Sequence, residues 1–221
     1  MKNIVLAAAL IAALIPVAAA QNVKVNGQPM HATITGQVGH RTAGNVRAPG
    51  LTTIFTNLGG STDSYDSTNG WLILGPSSAF GESQWIGFPF TPTSAATATQ
   101  LKAAVAYFSS GFNGVQISIR TDNSGVPGTV LRQKAVLGMK TFGDPCCDAL
   151  KTIPIAGTKL AANTQYWVVL GTNSGTNQST SEGVWDYATG DPTGNQAYSF
   201  DEGTTWATEQ VTESAFAVFG N

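Results

Sequence analysis

Val115-Gln116-Ile117-Ser118-Ile119-Arg120-Thr121 decides the fold. Val115, Ile117 and Ile119 fall on one side of an extended chain, and Gln116, Ser118 and Arg120 on the other. That is a period of two, the mark of a strand with one dry and one polar face. Asp122-Asn123-Ser124-Gly125 follows as a turn, and Val126-Pro127-Gly128 leads into Thr129-Val130-Leu131, so the unit reads as strand, turn, strand.

Working outward, Leu101 to Phe108 places Leu101, Ala103, Val105 and Tyr107 on one face. Gln165 to Thr172 is apolar on both faces and reads as a central strand, with Tyr166, Val168 and Leu170 toward the core. Leu51 to Phe55, Trp71 to Leu74, Gln84 to Phe90, Val184 to Tyr187, Ala197 to Phe200, Thr204 to Trp206 and Ala215 to Phe219 add further short strands. Asn57 to Gly70 reads as turn-rich. No stretch sustains a 3.6-residue period, and no repeat at a fixed spacing is visible. The expectation is an all-β protein, an antiparallel β-sandwich of jelly-roll type, occupying residues 51–221.

Residues 1–20 read as a secretory signal: Lys2, an apolar run from Ile4 to Val17, and Ala18-Ala19-Ala20. The run is shorter than the roughly 20 residues a spanning helix needs, so no transmembrane segment is expected in the mature chain. Cleavage is expected after Ala20, leaving a secreted or periplasmic chain that starts at Gln21. Residues 21–50 are polar and weakly patterned and read as an extended leader. Short pairing at Val23-Lys24-Val25 and at Ala32-Thr33-Ile34 is the alternative.

Charged residues make up 11% of the chain, against about 25% in ordinary domains. The net charge of −2 carries no basic cluster, which argues against nucleic acid and against electrostatic attachment to membranes. Cys146 and Cys147 are adjacent. A vicinal disulfide, an interchain bond and two free thiols all remain open, and the vicinal ring is the expectation for an exported chain.

Ile119 to Leu131, followed by Leu160-Ala161-Ala162-Asn163-Thr164-Gln165-Tyr166-Trp167-Val168-Val169-Leu170, resembles the exported bacterial choice-of-anchor domains, type R above all. Phe55-Thr56-Asn57-Leu58, Tyr65-Asp66 with Gly70-Trp71, and Phe216-Ala217-Val218-Phe219-Gly220 extend the likeness over residues 51 to 220. Arg120 stands where that family often has Tyr. The resemblance implies an exported β-sandwich and brings no catalytic residues with it. Those domains often end in a sorting signal. Here Asn221 follows the last strand directly, so free secretion, the periplasm or non-covalent matrix association is expected.

No catalytic set is legible. His31 and His40 lie in the leader, far from any Ser or Cys partner, and Gly-x-Ser-x-Gly is absent. Glu82, Glu182, Asp186, Asp201 and Glu202 supply carboxylates for glycosidase chemistry, but they read as solvated turn residues. No cofactor is expected. Asp63, Asp66, Asp122, Asn123, Asp186 and Asp191 are oxygen donors suited to calcium, without a recognisable loop and without an assigned site. The sequence therefore reads as a non-catalytic structural or interaction module of the cell envelope or secreted matrix. The alternative is a carbohydrate-binding module, with extracellular polysaccharide as partner. Trp185, Asp186, Tyr187 and Trp206 are its candidate ligand-binding residues, because an indole face beside polar groups suits a sugar ring.

Overall fold

The computed structural model describes residues 27–35, 40–42, 50–60, 63–144 and 149–221. The signal segment 1–20, the Gln21 start and the Cys146-Cys147 pair lie outside them. The described strands are β1 (His31–Thr33), β2 (His40–Thr42), β3 (Thr52–Thr56), β4 (Ser64–Leu74), β5 (Trp85–Phe90), β6 (Ala96–Tyr107), β7 (Gly114–Asp122) and β8 (Pro127–Leu137). They continue with β9 (Lys140–Thr141), β10 (Leu150–Leu160), β11 (Tyr166–Gly171), β12 (Glu182–Ala188), β13 (Thr193–Ser199), β14 (Ala207–Thr212) and β15 (Phe216–Gly220). Among the described residues no helix is long and apolar enough to cross a membrane.

Two sheets pack face to face. The first runs β1-β4-β12-β6-β15-β3, with β2 on β4 and with β9 and β10 on β6; the second runs β14-β13-β5-β11-β7-β8. All pairings between these strands are antiparallel except the short β6–β9 contact. From β4 onward the chain crosses repeatedly between the sheets, with β7–β8, β9–β10 and β13–β14 as successive pairs that stay in one sheet. The order β4-β12-β6-β10 facing β5-β11-β7-β8 is that of two interleaved Greek keys, which is a jelly roll. The β13–β14 hairpin widens the second sheet beyond β5, and β15 with β3 widens the first.

The core follows from the period of two. Val115, Ile117 and Ile119 of β7, Ile86, Phe88 and Phe90 of β5, and Tyr166, Val168 and Leu170 of β11 all point into one cluster. From the other sheet it receives Trp71, Leu101, Ala103, Val105, Trp185, Phe216 and Val218. Each large side chain buried there contributes about 1.5–3 kcal/mol. The outer face of the first sheet is also dry, because Tyr65, Leu72, Leu74, Ala104, Val184 and Phe219 form a second cluster under covering loops.

Three expectations change. Two pieces of the stretch read as a leader pair into the domain: β1 and β2 both pair with β4 (Ala32↔Gly70, Arg41↔Tyr65), and Met30 and Ala32 are buried in the second cluster. The polar stretch before Trp71 is not a run of turns but the first half of the eleven-residue β4. Asp66 makes it possible by accepting from the Thr68 amide and hydroxyl and from Asn69. Thr204 to Trp206 is a loop, and the strand begins at Ala207.

Candidate site on the outer face of the second sheet

The inward residues of β5, β7 and β11 fix their neighbours on the opposite face. Trp85 and Gly87, Gln116, Ser118 and Arg120, and Trp167 and Val169 therefore turn outward, in register: Arg120 opposite Trp167, Ser118 opposite Val169, Val169 opposite Gly87. Such a face would ordinarily be wet, yet here Trp167, Val169 and Ala197 are fully buried beneath Trp85 and Trp206.

The cover is the loop between β13 and β14. Ser199 Oγ accepts from the amides of Asp201 and Gly203 and donates to Asp201 Oδ1. Asp201 Oδ1 also accepts from the Thr205 amide, and Oδ2 from the Thr205 hydroxyl at 2.6 Å. These bonds hold the Asp201 carboxyl down at about 2, led by the Thr205 hydroxyl. Trp206 Nε1 donates to Gly203 O at 3.1 Å, which fixes the indole against its own loop. Gly203 is required: its φ is +81°, and a Cβ there would stand 2.9 Å from the Trp85 ring. Gly171 makes the other close approach, since a Cβ on it would lie 2.3 Å from Trp85.

Arg120 lies between the two indoles, its guanidinium 5.4 Å from the Trp85 ring centre and 5.7 Å from that of Trp206. Both distances fall within the cation–π range. Its Nε donates to Ser118 Oγ at 3.2 Å. Two residues along the same face, Asp122 Oδ1 accepts from Trp167 Nε1 and Gln165 Nε2, each at 2.7 Å. Oδ2 accepts from the Gly125 amide, closing the turn. Partial burial pushes the Asp122 carboxyl up, but these three bonds together bring it below its ordinary value.

Three clefts adjoin this arrangement. The largest, about 690 Å³, is lined by Trp206 with Thr121, Asp122, Asn123, Thr129 and Thr204. A second, of about 250 Å³, shares Trp206 and adds Tyr198, Phe200, Asp201 and Thr205. The third, about 240 Å³, is lined by Trp85 with Gln116, Gln133, Asn173 and Glu202. An indole edge among hydroxyls, amides and carboxylates is the composition a sugar-binding surface needs.

The sequence candidates divide accordingly. Trp206 belongs to this site. Trp185 does not: it is fully buried between the sheets, edge-on to Phe88 at 5.5 Å, with Nε1 donating to Ala215 O. The reason is position, because β12 lies between β4 and β6 and is covered on both faces. Asp186 is 1% exposed and so does not offer a ligand contact. Tyr187 is half-buried, packed on Trp71 at 5.6 Å. Burial, with Asp191, Asp66 and Glu209 nearby, drives its hydroxyl well above its ordinary range. Trp185, Asp186 and Tyr187 belong to the first sheet, and Trp206 to the loop over the outer face of the second, so the four form no common site.

Of the carboxylates considered for catalysis, Glu182 is wholly buried. It accepts from the amides of Ala79 and Ser110 and from the hydroxyls of Ser109 and Ser110. It braces loops and lines none of the three clefts. Among the described residues no three His, Cys, Asp or Glu side chains gather as a metal site. Trp85 and Arg120 carried no functional signal in the sequence beyond the polar face of β7. No family model matches the chain, and no curated protein matches it.

Proposed function

We propose that this chain is an exported, non-catalytic jelly-roll module of the cell envelope or secreted matrix that binds carbohydrate through the outer face of its second sheet. One observation carries the reading: Trp206 is held in place by its loop and lines two adjoining clefts, one rich in hydroxyl, amide and carboxylate groups and the other a more apolar one walled by Tyr198 and Phe200. A pre-set indole with polar neighbours supplies both the apolar face and the hydrogen bonds that a pyranose ring requires. The signal-like residues 1–20 and the resemblance to choice-of-anchor domains support export. The buried, saturated state of Glu182 weighs against a glycosidase built on that residue.

Affinity electrophoresis against a panel of soluble polysaccharides tests the reading. The wild-type chain is expected to be retarded by at least one polymer. Trp206→Ala is expected to abolish that retardation while its far-ultraviolet circular dichroism stays unchanged. Migration unaffected by every polymer, or equal retardation of the variant, overturns it.

A further inference from the structure

Beside the proposed glycan site, between Trp85 and Trp206, lies a cation that no anion among the described residues pairs. Arg120 is only 9% exposed, and the hydrogen bond it makes among the described residues is the one from Nε to Ser118 Oγ. Its four Nη–H donors have no acceptor there. The one ion pair among the described residues is Lys102 with Asp63, elsewhere in the fold. Burial accordingly lowers the pKa of this guanidinium, with no carboxylate acting in the opposite sense. A charge largely withdrawn from water and left unpaired is costly, and buried charges in native proteins are usually paired; the Nη atoms keep some contact with solvent. The stacking on Trp85 and Trp206 offsets part of that cost. It leaves the planar donor fork unfilled, and that fork matches a carboxylate.

Resting on the carbohydrate reading above, we infer that Arg120 binds the carboxylate of an acidic sugar unit, making uronic-acid-containing glycans the ligand class of this site. The guanidinium stands between Trp85, which lines one cleft, and Trp206, which lines the other two. Arg120 itself lines none of the three clefts, so a ring substituent of a sugar held at Trp206 must reach past the indole to the fork. The acidic neighbours do not satisfy Arg120, because their hydrogen bonds run elsewhere. Asp122 is held by Trp167, Gln165 and Gly125, and Asp201 by Ser199 and Thr205, while Glu202 Oε2 accepts from Ser174 and its Oε1 is buried with no hydrogen bond to any side chain, Arg120 included. They do surround the site with negative charge. Densely charged polyanions are therefore disfavoured, and the fit is to a chain with spaced carboxylates.

Calorimetry with matched disaccharides tests this: cellobiouronic acid, its methyl ester, and cellobiose. A charge-assisted pair predicts that wild-type protein binds the acid at least about tenfold more tightly than cellobiose, and that the ester behaves like cellobiose. Arg120→Gln is expected to remove the preference. Should that variant fail to fold, the acid-against-ester comparison on the wild type decides alone. Equal binding of all three sugars overturns the role of Arg120 and leaves the carbohydrate reading standing. Preference for the ester or for cellobiose also overturns it. If none of the three binds while a neutral polysaccharide still retards the chain, the inference fails alone; if no glycan is bound in either assay, both readings fail.

Discussion

Lys102 Nζ lies 2.6 Å from Asp63 Oδ2, and neither side chain reaches solvent to any extent, with exposures of 2% and 8%. Lys102 sits on β6 between Leu101 and Ala103, which face the main core, so it points to the outer face of the first sheet. There its ammonium also lies 5.6 Å from the centre of the Phe219 ring. Asp63 reaches it from a left-handed turn residue, φ 51°, directly before β4. The pair ties the start of β4 to the middle of β6.

Removing one partner leaves the other charge buried. Lys102→Ala is expected to cost about 3–5 kcal/mol, whereas Lys102→Met combined with Asp63→Leu is expected to recover most of that loss. Urea denaturation of both variants checks this. A single-variant cost below about 0.5 kcal/mol, the size of an ordinary surface change, would contradict the burial.

Glu182 gives a second stability prediction. Its carboxylate gathers four donors from the 79 and 109–110 loops. Glu182→Ala orphans all of them at once, at about 1–3 kcal/mol for each group left unsatisfied in a buried site. Glu182→Gln keeps an acceptor oxygen and is expected to lose less. Thermal melts of the two variants should therefore separate by several degrees. Coincident melts would mean the loops find other partners.

Leu170 tests the central strand. It is fully buried on β11, between β5 and β7. Truncation to Ala is expected to cost about 2–5 kcal/mol. A loss under about 0.5 kcal/mol would remove it from the core.

The parts of the fold legible in the sequence were those where one face is dry and the spacing unbroken. In β7, Ile117 and Ile119 alternate with polar residues, and β11 was legible as a run apolar on both faces, with Val168 and Leu170 toward the core. β10 escaped because its alternation is broken: Ile153 and Ile155 are buried, then a register shift between Pro154 and Thr158 moves the dry face to Thr158 and Leu160. A bulge displaces the period by one residue, so the run looks irregular. The site was half legible. Trp206 carried its own signal, while Trp185 looked equivalent in the chain and was separated from it only by β12 lying between two other strands. Trp85 and Arg120 are distant in sequence and meet only through the pairing of β7 and β5 with β11, which no local pattern encodes.

The loop that carries Trp206 is expected to respond to pH. Asp201 is exposed, yet its carboxyl is held at about 2, chiefly by the Thr205 hydroxyl and then by the Thr205 amide and Ser199. An unfolded Asp titrates near 3.9. A group whose folded value is depressed supports the ordered loop above the unfolded value, and loses that contribution as pH falls toward the folded one. The loop should therefore be fully ordered from neutral pH down to about 4 and loosen between about 4 and 2. Its main-chain bond from Thr204 to Asp201 O does not titrate, so the change should be local and leave the sandwich intact. Carbon-13 NMR of the Asp201 carboxyl should give a midpoint near 2, and glycan binding through Trp206 should persist at pH 4 and fall below it. Asp201→Asn, which cannot ionise, should loosen the loop at every pH and flatten the binding profile. A wild-type midpoint near 4 would show that the Thr205 and Ser199 bonds are not held in solution, and the pre-set position of Trp206 would go with them.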